Sequence, residues 1–144
     1  MQARRPFLRA VVTVAALTGA MVAGCNDPAG SCACTEEFRY FTVTVLDDAS
    51  QPATNVSLTR TNLRTGKVLE PGWLGDLVPG VYLVADDGQV SQFSTDGDTL
   101  RVIGTQGGAT FTADYVFAVD ACRCHLQRVA GPDTVIIGEP PPAP

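Results

Sequence analysis

The chain is poor in the residues on which catalysis usually depends. It has a single histidine, His125, a single tryptophan, Trp73, and a single lysine, Lys67. It contains no Gly-x-Ser-x-Gly elbow, no glycine-rich phosphate loop and no His-Glu-x-x-His motif, so the common hydrolase, nucleotide-binding and zinc-protease signatures are missing. We therefore expect a protein that is not an enzyme and that carries no cofactor.

Basic residues are scarce as well. Three of the ten lysines and arginines lie in the first nine residues, where there is no acid. Removal of residues 1–24 as a leader leaves seven basic and fifteen acidic residues, a net charge of −8. Such a chain has no basic stripe to displace counterions from phosphates, which excludes a nucleic-acid partner. Its length of 144 residues and its content of 45% hydrophobic residues are those of one folded domain.

The amino terminus has the features of an export signal. Residues 1–9 are positively charged, and residues 10–23 form an apolar run that is too short to span a bilayer. The run ends in Val22-Ala23-Gly24-Cys25, which resembles the lipobox of bacterial lipoproteins. This resemblance implies cleavage before Cys25, acylation of that residue, and stable anchoring to a membrane of the cell envelope (the outer one if there are two).

Two alternatives for the leader stay open. It could be an ordinary signal peptide with a cysteine at its cleavage site. In addition, Arg4-Arg5-Pro6-Phe7-Leu8-Arg9 resembles the twin-arginine export motif, so the general and the twin-arginine routes are both possible. Either way we expect the mature chain to be extracytoplasmic.

Apart from Cys25, the cysteines form two Cys-x-Cys pairs, Cys32 with Cys34 and Cys122 with Cys124. Residues i and i+2 of a strand have Cα atoms about 7 Å apart, so a bridge within a pair would be strained. In an oxidising compartment we therefore predict two structural disulfides that join one pair to the other. Whether Cys32 is bonded to Cys122 or to Cys124 depends on strand direction and is left open.

The same residues allow a second interpretation, in which the protein binds a metal or exchanges thiols. Cys32, Cys34, Cys122, Cys124 and His125 are donors suited to zinc or copper. One residue between paired cysteines is fewer than structural zinc sites usually have, and Cys122-Arg123-Cys124-His125 is one residue short of a haem attachment motif. The structural interpretation is therefore preferred.

Beyond the leader, the sequence consists of short apolar, β-branched runs that are separated by turn residues. Gly107-Gly108 indicates a hairpin turn. We predict strands at residues 38–46, 55–61, 81–85, 90–93, 99–104, 110–119, 125–129 and 134–137, an irregular loop at 70–79, and no helix after the leader. This pattern predicts an all-β, antiparallel, seven- to eight-stranded Greek-key sandwich that is stapled by two disulfides.

The domain boundaries follow from composition. Residues 1–24 are assigned to a cleaved leader and 25–37 to a tether that carries the first cysteine pair. The sandwich occupies residues 38–138. Residues 139–144, Glu-Pro-Pro-Pro-Ala-Pro, cannot form ladder hydrogen bonds and are expected to be a disordered tail.

Several segments, taken in order, resemble a carboxypeptidase regulatory-like domain over about residues 38–138. They are the strand–turn–strand unit at 42–58, Gly80-Val81-Tyr82-Leu83-Val84-Ala85-Asp86-Asp87-Gly88, Arg101-Val102-Ile103-Gly104, Phe111-Thr112-Ala113-Asp114-Tyr115-Val116-Phe117 and Cys122-Arg123-Cys124-His125. The resemblance implies a prealbumin-like, Ig-like sandwich that serves as an accessory module. It implies no active-site residue.

These observations favour a lipid-anchored, non-enzymatic accessory module with a structural or binding role at the cell envelope. Its partner is an unknown envelope protein or polysaccharide. Trp73, in a Pro/Gly-rich loop, is a possible contact, although a cap on an open end of the sandwich is the more common role for such a residue. A small hydrolase that uses Asp47-Asp48, Asp86-Asp87 or Asp96-Gly97-Asp98 is the remaining alternative, but turn formation is the simpler role for these acids.

Overall fold

The structure, a computed structural model, describes residues 32–70 and 78–138, and within these ranges it is almost entirely β. The strands are β1 (Tyr40–Leu46), β2 (Ser57–Asn62), β3 (Lys67–Val68), β4 (Val81–Asp86), β5 (Asp98–Gln106), β6 (Ala109–Val119), β7 (Leu126–Ala130) and β8 (Thr134–Ile136). In these two ranges no helix is long and apolar enough to cross a membrane.

The strands form two sheets, as the sequence predicts for a sandwich. One sheet has the order β4-β1-β8 and the other the order β3-β2-β5-β6-β7. Neighbours that are distant in sequence, such as β2 and β5, require crossover connections between the sheets, as in Greek-key sandwiches. One pairing differs from the expected antiparallel pattern, because β8 runs parallel to β1. The chain reaches β8 from the other sheet, so no tight hairpin fixes an antiparallel direction there.

Alternating side chains of β6 supply the centre of the core. Phe111, Ala113, Tyr115 and Phe117 point inward and are buried, whereas the residues that alternate with them are partly or fully exposed. The ring of Phe117 lies 5.2 Å from that of Phe41 in the opposite sheet and 5.6 Å from that of Phe93. The alternating apolar side chains that predict this strand are therefore also the side chains that pack against the opposite sheet.

The predicted strand at residues 90–93 is wrong. Asp87–Gln92 is a 3-10 helix, and Asp86 caps its first turn by accepting a hydrogen bond from the Gly88 amide, 2.9 Å away. Three residues make one turn of a 3-10 helix, so Val90 and Phe93 fall on the same side and both face the core. The short strand β3 is not among the strands that the sequence predicts.

A buried polar cluster joins the ends of β2 and β5. Asp98 is 3% exposed, and its carboxylate accepts hydrogen bonds from Arg64, from the side chain of Asn62 and from both the amide and the hydroxyl of Ser94. The hydrogen bond from Arg64 lowers the pKa of Asp98 most, burial opposes it, and the result is a pKa of about 2 against an ordinary 3.8. The charged form is thus the one that the fold stabilises.

Replacement of this carboxylate should change how stability depends on pH. Because the pKa of Asp98 is lower in the folded chain, its contribution is fully present above about pH 4 and is lost as the pH falls through about 2. Between pH 7 and pH 2, we expect the free energy of unfolding of wild type to fall by about 2 kcal/mol more than that of Asp98→Asn. Urea unfolding at the two pH values measures this difference. The exposed Asp96→Asn is the matched control and should behave like wild type. Parallel loss of stability in Asp98→Asn and wild type would contradict this role.

Candidate functional site

The two Cys-x-Cys pairs are joined to each other, as predicted. Cys32 is bonded to Cys122 and Cys34 to Cys124, with Cα atoms 5.3 Å and 5.5 Å apart. This resolves the connectivity that the sequence left open. The first cysteine of one pair is joined to the first of the other, so the two short segments lie side by side in the same direction. Both disulfides lie at one end of the sandwich. We call it the cysteine end and define it by residues 32–40, 62–67, 86–98 and 119–126.

The loop between β6 and β7 is shaped by a single acid, Asp120. Its carboxylate accepts hydrogen bonds from the amides of Cys124 and His125, at 2.8 Å and 3.2 Å. The Asp120 carbonyl accepts from the amide of Arg123, whose φ of 57° lies in the left-handed region. Because Arg123 is not a glycine, this conformation costs free energy that the surrounding hydrogen bonds and the two disulfides offset.

His125 lies at the centre of the cysteine end and is 7% exposed. Its Nδ1 is 2.7 Å from Oδ2 of Asp87, and its Nε2 is 2.9 Å from Oγ1 of Thr35. The three residues come from distant parts of the sequence: the segment before β1, the start of the 3-10 helix and the start of β7. Both ring nitrogens are therefore used in hydrogen bonds.

The Asp87 carboxylate is held by backbone amides as well as by the imidazole. It accepts hydrogen bonds from the amides of Arg39 and Leu126, at 2.9 Å and 2.8 Å. Burial by itself would raise the pKa of Asp87, but the hydrogen bonds from His125, Arg39 and Leu126 together hold it below the usual value. An ionised Asp87 can only accept, so the proton between the two side chains belongs to Nδ1 of His125. In the neutral ring Nε2 is then an acceptor for the hydroxyl of Thr35.

This arrangement removes the donors that the metal-binding interpretation requires. Metals bind the thiolate, and all four described cysteines are in disulfides. His125 already contacts Asp87 and Thr35. Among residues 32–70 and 78–138, no group of three or more histidines, cysteines and acids is placed to hold a metal ion.

Several of the acids considered for hydrolysis have structural partners. Asp47 accepts from the amides of Ala49 and Gln51 and so closes the turn after β1. Asp86 caps the 3-10 helix, and Asp98 lies in the cluster with Arg64. Asp87 and Asp98 have lowered pKa values, the opposite of what a general acid needs.

Two candidate residues lie outside the described ranges. They are Cys25, proposed as the acylated residue, and Trp73, proposed as a contact, so both assignments stay predictions. Conversely, sequence reasoning missed Thr35 as a partner of His125. The contact follows from the disulfide connectivity, because pairing of Cys34 with Cys124 makes neighbours of the residues that follow them, which are Thr35 and His125. The sequence left that connectivity open, so it did not identify Thr35.

No family model, no curated protein and no solved structure matches the chain.

If the cysteines are structural, reductants and chelators should have different effects. Each disulfide spans 90 residues, and closure of a loop of that length contributes about 4–5 kcal/mol for the first bridge and much less for the second. We expect reduction of both bridges to lower the free energy of unfolding by about that amount, whereas EDTA leaves it unchanged, as measured by denaturant unfolding.

The paired variants C32S/C122S and C34S/C124S serve as controls, because each leaves one 90-residue loop closed. Each should lose much less stability than the fully reduced chain. Destabilisation by EDTA, or a metal ion in the native mass spectrum, would contradict the structural role.

Proposed function

We propose that this protein is a lipid-anchored accessory module of the bacterial cell envelope, with a structural or binding role and no catalytic function of its own in that role. The observation that carries the proposal is the double covalent closure at the cysteine end. Disulfides of this kind persist in oxidising, extracytoplasmic compartments. The lipobox-like Val22-Ala23-Gly24-Cys25 supplies the anchor in this proposal, and the resemblance to carboxypeptidase regulatory-like domains supplies the accessory role.

The closure would also determine which end of the module faces the membrane. Residues 32–39 precede the first strand, and the disulfides attach Cys32 to the sandwich before that strand begins. Cys25 lies seven positions before Cys32, a distance of at most about 25 Å in an extended chain. An acylated Cys25 would therefore keep the cysteine end near the lipid surface.

The opposite end of the sandwich would then be presented to partners. It holds the turn at Gly107-Gly108 and the loop between β1 and β2, which is fixed by the side chain of Asp47. Gly138, the last described residue, is also there, because its amide donates to the carbonyl of Thr110. An envelope protein or a polysaccharide is the partner class that this orientation suits best.

Anchoring is tested by detergent partitioning of the full chain expressed in a bacterium. We expect wild type to enter the detergent phase and to carry acyl mass on the peptide that begins at Cys25. Cys25→Ala should move to the aqueous phase and lose that mass, because acyl chains are what hold a protein of this kind to the bilayer.

Thr54→Ala, in the loop at the opposite end of the sandwich, is a matched control and should partition like wild type. The proposal fails if wild type is aqueous, or if the mature chain begins at Cys25 without added acyl mass.

A further inference from the structure

Thr35, His125 and Asp87 form a continuous chain of hydroxyl, imidazole and carboxylate. The two links are 2.9 Å between Oγ1 and Nε2 and 2.7 Å between Nδ1 and Oδ2. Both lie within the range of 2.6–3.2 Å that joins an activated nucleophile to its base and the base to the group that orients it. The order of groups is the one by which hydroxyl nucleophiles are activated on unrelated folds.

The protonation states also suit this role. The pKa of Asp87 is lowered, so its carboxylate is ionised and accepts a hydrogen bond from Nδ1. A ring that carries its single proton on Nδ1 presents the lone pair of Nε2 to the Thr35 hydroxyl, where it can take a proton. His125 and Asp87 have side chains only 9% and 7% exposed, whereas Thr35 is exposed. The base is therefore shielded, and the hydroxyl can be reached from solution.

The geometry is held covalently as well as by hydrogen bonds. The Cys34–Cys124 disulfide joins the residues immediately before Thr35 and His125. Asp87 is fixed by the amides of Arg39 and Leu126, and the backbone of His125 is fixed by Asp120. Efficient proton transfer requires that the nucleophile and the base are held in place by rigid surroundings.

We propose that Thr35 is a nucleophilic hydroxyl that accepts acyl groups from activated esters or thioesters. Oγ1 of Thr35 attacks the acyl carbon, and its proton passes to Nε2 of His125. The bond between the acyl carbon and the leaving oxygen or sulfur then breaks, its electron pair goes to the leaving group, and the imidazolium of His125 gives the proton to that group. The products are an ester on Thr35 and the free alcohol, phenol or thiol, with no change in oxidation state. Asp87 is a positioning residue that stabilises the imidazolium.

The proposal is restricted to activated acyl donors for a chemical reason. An ester with a good leaving group needs a nucleophile and a base, whereas an amide also needs protonation of its nitrogen and strong stabilisation of the oxyanion. This activity goes beyond the accessory role proposed above. It does not depend on acylation of Cys25, so the two proposals can fail separately.

The test uses 4-nitrophenyl acetate and the full chain with both disulfides formed. Peptide mapping by mass spectrometry would measure the rate at which each residue gains an acetyl group. Thr59 is the internal control, because it is an exposed threonine and the only histidine of the chain is already placed beside Thr35. We expect Thr35 to be acetylated at least about 100-fold faster than Thr59, the lower limit for general-base assistance.

Variants at Thr35 test the nucleophile without disturbing the core. Thr35→Ser should keep the acetylation at residue 35 and Thr35→Val should abolish it, while Thr59→Val leaves it unchanged. His125→Gln should reduce the rate at Thr35 to that of Thr59.

Equal rates at Thr35 and Thr59 in wild type would overturn the proposal and would leave the hydroxyl as a structural contact. Acetylation of His125 with none on Thr35, or an undiminished rate in a folded His125→Gln chain, would also overturn it.

Discussion

The arrangement of the cysteine end depends on one constraint, the covalent closure of residues 32–34 onto the loop between β6 and β7. No strand ladder holds residues 32–39, and most of their side chains are exposed. The two disulfides are therefore the covalent attachment of this segment to the sandwich. With them, Thr35 is placed against His125, and Arg39 donates its amide to Asp87. The hydrogen bonds then fix in detail what the covalent bonds bring together.

Acidic side chains at this end are used as acceptors for backbone amides. Asp86 caps the 3-10 helix, Asp87 accepts from two amides, Asp98 accepts from Ser94, and Asp120 holds the turn before β7. A carboxylate that accepts such bonds is stabilised in its charged form, which agrees with the lowered pKa values of Asp87 and Asp98. The excess of acidic over basic residues is thus partly explained by the backbone amides of loops and strand ends, which need hydrogen-bond acceptors.

Local pattern predicted most of the strands, because alternation and turn residues act over a few positions. The strand predicted at 110–119 is observed at Ala109–Val119, and Gly107-Gly108 does form the turn before it. The failures needed information from farther along the chain. Phe93 looks like a strand residue until the Asp86 cap is considered, and the parallel pairing of β8 depends on the path between the sheets. Arg60 is 5% exposed and donates a hydrogen bond to the carbonyl of Leu83 in the opposite sheet. Its burial depends on tertiary packing, which local sequence patterns do not predict.

The candidate site shows the same division. The joining of the two cysteine pairs could be predicted from the strain of bridging within a pair, but their order could not, since it depends on the relative direction of two segments 90 residues apart. That order decides which residues become neighbours. Had Cys32 been bonded to Cys124, Ala33 and not Thr35 would follow the cysteine beside His125, and the imidazole would have no hydroxyl from this segment. The hydroxyl–imidazole contact is therefore a consequence of disulfide connectivity.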